Sequence, residues 1–453
     1  MEMTNDEVRR ATAPAEPAVS PAHATVMYPT RQPLLDAEGL LCGFELVLRA
    51  DEEAAATPAA PATDARDELR LSDEAAARVL DALGARGVYA ALAGHRGYLN
   101  ASRALLFSDA FTRISPDRYQ FELPPDIEVD PALIARLVGL HAKRHRFVLD
   151  HVTQPNETFA KLLPYVHAVK IDVARVPPGL LPKLAAALKS AGKLLIALNV
   201  DAPEQFDEAR ELGFDLFQGY FFASPHKQTT RRASAPRQAL LNLLRLLSAD
   251  PSVAQLEAEL KLNPVLVMHL MRLANSGEGS IGRKVATLRE AINATGTNRI
   301  ARWTQLLLYA DGRKVRLEDD PLVQLAATRA RFIELAVARL AQATRKTVDG
   351  AFLTGVFSLV GVVFGDTLEN TLDALSLSSH IHAAILHREG TLGTLLNAVE
   401  ALERGDWAAV DRAAAMLEPL SSADLTELAI TAAAWASSSD QSDEHAGLDH
   451  FEE

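Results

Sequence analysis

Cysteine is almost absent: the 453 residues contain Cys42 alone, which excludes an intrachain disulfide and a zinc cluster built on thiolates. One small soft side chain is expected to be a core residue, and such sparing use of cysteine fits a reducing compartment. Positive charge is also short. Lys and Arg number 46 against 59 Asp and Glu, a formal net charge of −13, so the basic patches that duplex nucleic acid demands are not expected. Long apolar runs are missing as well. The most hydrophobic tract, Ala351 to Gly365, is broken by Thr354, Gly355 and Ser358 and falls short of the roughly 20 residues of a bilayer span. The first residues, Met-Glu-Met-Thr-Asn-Asp-Glu, carry no apolar signal core. A soluble, cytoplasmic protein without a membrane span is the expectation.

What is present is an ordinary globular composition, 48% hydrophobic, on a chain too long for a single core, so two or three domains are expected. Residues 1–25 are rich in Ala, Pro and charge without periodicity, as is the tract from Asp51 to Asp67, and neither reads as folded. Between them, Arg31 to Asp36 and Cys42 to Arg49 look like two extended pieces joined around Glu38-Gly39. Glu45 is an acid inside an apolar strand, and Arg49, on the same face, is a candidate partner. After a helical stretch from Ser72 to Leu83, strand-like and helix-like runs alternate. The strand candidates are 97–100, 119–123, 146–150, 167–172, 193–199 and 215–222, with helices at Pro131 to His141 and Pro203 to Leu212. Strict alternation favours a parallel sheet, as a barrel or an open doubly wound sheet. Phe147-Val-Leu-Asp-His-Val152 reads as a buried strand that delivers Asp150 and His151 to its carboxyl end, the place where barrels build sites. Asn100, Glu122 and Lys170 end or nearly end other runs in the same way, so these four are expected to converge. Taken singly, an acid after a strand often only caps a helix.

After Pro225 a polar, basic segment leads into purely helical spacing. Leu240, Leu243, Leu244 and Leu247 repeat at i, i+3, i+4, i+7, and Asp250-Pro251 and Asn263-Pro264 each read as N-cap plus first-turn proline. The expected division is an unstructured segment 1–25, an α/β barrel 26–228, a linker 229–237, an all-α domain 238–433 and an acidic disordered tail 434–453. Cleavage by protease is expected near Arg231 and Arg232.

Glu45-Leu-Val-Leu-Arg49, Leu99-Asn100-Ala-Ser102, Glu122-Leu, Leu149-Asp150, Lys170-Ile-Asp172 and Gln218-Gly-Tyr-Phe-Phe-Ala-Ser-Pro225 stand in the order and rough spacing of the motifs of EAL-domain cyclic di-GMP phosphodiesterases. The resemblance runs from about Tyr28 to Pro225 and implies a modified TIM-type barrel. Asp250 to Pro264, Arg272 to Ser276, Ala291 to Gly296, Arg331 to Glu334, Ala351 to Leu359 and Glu403 to Trp407 resemble HDOD domains, metal-free relatives of HD phosphohydrolases. The whole chain resembles YuxH-like signalling proteins that join the two. No His is followed by Asp anywhere in the sequence, so the HD metal pair is missing, and His380, His382 and His387 are read as a solvated or partly buried face.

The resemblance implies that Glu45, Asn100, Glu122 and Asp150 are able to hold one magnesium or manganese ion, with Lys170 as a remnant base and Arg49 and Gln218 as ligand-binding residues. A second ion would need an Asp after Asp150 and a Glu near Ile196, where this chain has His151 and Leu198. The loop that supplies glycines in the family reads Asp150-His-Val-Thr-Gln-Pro-Asn156, Pro124-Pro125 replaces a Thr-Glu, and a distal acid is shortened to Asp201. Two-ion phosphodiester hydrolysis needs both charges. The expectation is a non-catalytic signalling adaptor with no required cofactor, open to cyclic di-GMP, presenting its HDOD half to signalling proteins and open to oligomerisation. The alternative is an active cyclic di-GMP phosphodiesterase with an atypical metal site.

Overall fold

A computed structural model of the chain describes residues 27–50, 86–109, 111, 114–224, 237–263, 266–267, 270, 273–274, 287–308, 319–340, 343–364, 368–374 and 377–437. The expected helix from Ser72 to Leu83, the linker arginines Arg231 and Arg232, Pro264 and the segment 438–453 lie outside the described residues.

The first two strands, β1 (Met27–Asp36) and β2 (Leu41–Ala50), form an antiparallel hairpin. Its turn is set by Asp36, whose carboxylate accepts from the backbone N–H groups of Glu38 at 3.0 Å and Leu40 at 2.9 Å. Gly39 takes the left-handed conformation such a turn needs, φ 76°. Six further strands follow: β3 (Arg96–Asn100), β4 (Tyr119–Leu123), β5 (Phe147–Val152), β6 (Ala168–Asp172), β7 (Leu194–Leu198) and β8 (Leu216–Gln218). They close into a barrel in chain order, with β1 antiparallel to β2 and β8 and every other pair parallel. Of the two sheets open to an alternating pattern, the closed one is observed. It is the TIM-type arrangement with its first strand reversed.

Side-chain alternation sorts the interior into layers. Leu34, Tyr98, Val148, Ala168 and Ile196 form an apolar floor, with Cys42 and Leu216 packed against it. Cys42 is half-buried there, its Sγ 3.2 Å from the Leu34 carbonyl, and burial pushes its thiol up to about 12. Two residues further along the parallel strands, the same inward face carries Asn100, Glu122, Asp150, Lys170, Leu198 and Gln218. On reversed β1 the equivalent step goes back from Leu34 to Gln32. Period two thus converts an apolar floor into a polar layer in one step.

The turn after β8 depends on Gly219. Its φ is 147°, and a Cβ there would stand 2.0 Å from the backbone oxygen of Val200. Because backbone cannot yield as a side-chain tip can, Gly219→Ala is expected to cost about 1–3 kcal/mol in conformation alone, with the collision added. Chemical denaturation of the full chain checks it, and an unchanged midpoint would contradict it.

Helices Pro131–Ala142 and Pro203–Glu211 lie where the spacing places them, the first capped by Asp130 and burying Leu133, Leu137 and Leu140. The second half is helical among the described residues, from Arg237–Ser248 to Ser422–Ser437. The cap expected at Asp250-Pro251 is displaced: Ser252 caps Val253–Lys261 in a capping box with Gln255, while Asp250 sits outside at φ 49°.

The halves are docked on one another. One apolar cluster runs from Leu35 and Phe44 of the barrel to Leu425 and Ala433 of the last helix. Ser422–Ser437 packs on the barrel helix Arg86–Ala91 and on β1, and Gly390–Arg404 also meets β1. The Leu41 N–H donates to the Asp319 carbonyl at 2.9 Å, and Arg31 donates to Thr328 at 2.9 Å and lies 4.5 Å over the Phe44 ring.

Candidate functional site

The polar layer is organised around one ammonium. Lys170, on β6, is wholly buried, and its Nζ lies 2.8 Å from Glu45 Oε2, 2.5 Å from Glu122 Oε1 and 4.0 Å from Asp150 Oδ1. These acids come from β2, β4 and β5, so the convergence expected of strand-terminal residues is present. Glu45 collects further donors: Gln218 Nε2 at 2.5 Å and Asn100 Nδ2 at 3.3 Å. Its partners among the described groups are thus Lys170, Gln218 and Asn100. Arg49 lies on β2 opposite Tyr28, and its side chain is outside the described residues.

Among the described side chains, three carboxylates face one ammonium, so full ionisation leaves two negative charges in excess in a buried layer. Burial, followed by the charge of Glu45, raises the Glu122 carboxyl well above its ordinary value, with Lys170 pulling it back. For Lys170, burial disfavours the charged form, but Glu122, Glu45 and Asp150 outweigh it and raise the ammonium above its usual range. The cluster holds a fixed lysine cation and one carboxyl that prefers its proton.

Among the described residues, Glu122 Oε2 and Gln218 Oε1, both on buried side chains, find no hydrogen-bond partner. Oxygen-rich, with excess negative charge and orphaned acceptors, the layer suits a hard divalent ion better than a soft one. Among the described residues, no three His, Cys, Asp or Glu side chains already stand in a ready metal geometry. Lys170 occupies the space between the carboxylates.

The flanking positions differ in character. His151 follows Asp150 with φ 49°, and its Nδ1 turns back to within 2.9 Å of Asp150 Oδ1. Leu198 ends β7 opposite Asp172 and is buried. Asp172 is engaged elsewhere, accepting from Asn199 Nδ2 at 2.9 Å and from the Ala174 and Arg175 N–H groups at 3.2 Å. In the helical half, His382 lies 3.0 Å from Asp373 and is partly exposed.

Gln32 joins the site without having been among its expected residues. Its Oε1 accepts from Gln218 Nε2 at 2.9 Å, and its own Nε2 faces the Glu403 carbonyl at 3.4 Å. Its place directly before Pro33, two residues from the floor residue Leu34, was the available signal.

Comparison with known proteins adds to this geometry. Residues 235–399 match the HDOD domain family. The chain is 24% identical over 388 residues to the uncharacterized protein YuxH of Bacillus subtilis, covering 84% of this chain and 91% of the relative. It is 24% identical over 391 residues to the cyclic di-GMP phosphodiesterase CdgJ of Vibrio cholerae, covering 85% and 87%. Among solved structures, the EAL-domain protein YkuI of Bacillus subtilis, in complex with cyclic di-GMP and calcium, matches at 18% identity and a TM-score of 0.36, over 45% of this chain and 55% of that one.

Proposed function

We propose that this chain, an EAL barrel joined to an HDOD domain, is a cyclic di-GMP-pathway signalling protein that binds the dinucleotide at the barrel mouth without hydrolysing it at a useful rate. The observation that carries the reading is the way Glu45, Glu122 and Asp150 gather on Lys170, flanked by Leu198 and by a histidine turned back onto Asp150. Likeness to CdgJ over most of both chains supports the choice of ligand. It equally favours a second reading, an active phosphodiesterase with an atypical metal site.

Glu45, Asn100, Glu122 and Asp150 are the residues to hold one magnesium or manganese ion, which would neutralise phosphate charge and anchor the ligand. Gln218, with its orphaned oxygen, is the residue to contact the ligand beside that ion. The HDOD half, which lacks a His-Asp pair, presents helical surfaces to signalling proteins. Calorimetric titration of the full chain with cyclic di-GMP in magnesium is expected to show binding that Glu45→Ala removes. No heat with the unmodified protein would contradict the reading.

Metal binding must displace the proton that Glu122 prefers to keep. Since the folded-state value of Glu122 is raised, the metal-free protein loses this contribution to stability as pH rises above the ordinary 4.5 toward the raised value. Metal affinity moves the other way. The magnesium-induced rise in unfolding temperature is therefore expected to grow between about pH 5 and pH 8, and thermal scans across that range check it. A pH-independent shift would place the ion elsewhere.

A further inference from the structure

The last turn of an α-helix leaves carbonyls without intrahelical partners. At the end of Gly390–Arg404, Gly405 adopts φ 69°, its N–H reaches back to Ala401 and Leu402, and the Asp406 N–H donates to Ala401 at 2.9 Å. These bonds leave the Glu403 carbonyl unserved, and the barrel serves it. Tyr220 Oη donates to it at 2.9 Å and Gln32 Nε2 approaches at 3.4 Å.

The Gln32 amide is therefore held at both ends. To accept from Gln218 with Oε1 it must turn Nε2 outward, and the group it meets there is the helix end of the other domain. Gln218 in turn divides its amino group between Gln32 and Glu45. On the helical side Glu403 is itself fixed, its carboxylate clasped by Arg329 at 2.8 and 2.6 Å, while Arg329 also reaches Glu400 at 3.1 Å. A bidentate buried pair of this kind sets orientation. Beside the contact a cleft of about 410 Å³, lined by Asp201, Tyr220, Arg329, Glu400 and Arg404 among others, leaves the helix end room to shift.

We propose that Gln32 is a positioning residue through which the HDOD domain, by way of the Glu403 carbonyl, orients Gln218 and Glu45, so that occupancy of the barrel mouth and seating of this helix end are coupled. A ligand donor that draws Gln218 toward itself changes the bond to Gln32, and Gln32 transmits that to Glu403. Coupling is reciprocal, so whatever binds the helical half and moves the helix end alters affinity at the mouth. The inference rests on the reading of the barrel mouth as a binding site.

Hydrogen exchange of the full chain, read over residues 401–407 with and without cyclic di-GMP and magnesium, tests it. In the unmodified protein the ligand is expected to change exchange in this segment. In Gln32→Leu, which keeps bulk and loses both amide bonds, ligand-free exchange should rise at least about 5-fold, the lower end of ordinary coupling. The ligand response should also vanish while binding persists at higher concentration. Tyr220→Phe, a milder variant that removes the other hydrogen bond to the same carbonyl, should also speed exchange and keeps the test open if Gln32→Leu folds poorly. Should cyclic di-GMP fail to bind the unmodified protein, the reading of the mouth falls and the coupling with it, while ligand-free exchange still decides whether Gln32 seats the helix end. Exchange in 401–407 unchanged in both variants, or an undiminished ligand response in Gln32→Leu, overturns it.

Discussion

Lys170→Met is expected to destabilise the metal-free full chain by about 3–5 kcal/mol, the ordinary cost of leaving buried charge without its partner. The lysine is wholly buried and within 2.8 Å of both Glu45 and Glu122, so its loss leaves three carboxylates facing one another. Methionine fills most of the volume, and the loss is therefore electrostatic rather than a cavity effect. Two dependences follow. Protonation relieves the repulsion, so the deficit should shrink as pH falls, and a divalent ion able to take the vacated place should restore part of the stability. Urea unfolding at pH 8 with chelator, at pH 5 with chelator, and at pH 8 with magnesium separates these contributions. A deficit under about 1 kcal/mol at pH 8, or one independent of pH, would show that the carboxylates do not depend on Lys170.

The second large effect concerns turnover. Two-ion hydrolysis places one charge on the attacking oxygen and another on the leaving oxygen. Here one flank of the layer is the buried Leu198, and the other is His151, whose ring nitrogen lies 2.9 Å from Asp150. Losing one such electrostatic contribution is worth about 3–4 kcal/mol, so turnover by this chain is expected to be slowed about 100- to 1,000-fold. His151→Asp combined with Leu198→Glu is expected to recover little. The residue at 151 sits at φ 49°, and the following Val-Thr-Gln-Pro-Asn has no glycine to re-aim the chain, so new carboxylates would be held too loosely. Steady-state assay of the double variant checks this, and activity restored to a rapid rate would contradict it.

The strands and the acids at their ends were legible because a parallel barrel leaves a local trace. Apolar residues run until the strand meets the mouth, and a polar residue marks the stop at Asn100, Glu122 and Asp150. The charge partner of Glu45 was less legible. Arg49 is close in sequence, but Lys170 reaches Glu45 from β6, 125 positions away, and no local spacing reports that. The missed cap has a local cause. Asp250-Pro251 and Ser252-x-x-Gln255 are both start signals, and the box with two reciprocal bonds wins. Docking of the halves left the weakest trace. Arg329 and Glu403 are 74 residues apart, each looks like an ordinary helix-surface charge, and the carbonyl that Tyr220 and Gln32 serve has no side-chain signature. The basic segment after Pro225 marked a linker between the halves and gave no sign of the shared apolar cluster that ties the barrel to the last helix. Such an interface opposes free domain motion.

A single-turnover experiment separates binding from hydrolysis: protein in excess over labelled cyclic di-GMP, with magnesium or manganese, sampled over hours for bound ligand and for the linear dinucleotide. Ligand is expected to stay on the protein and to be recovered intact, with retention lost in Glu45→Ala. Rapid conversion to the linear product by the unmodified chain, abolished by the same substitution, would contradict it.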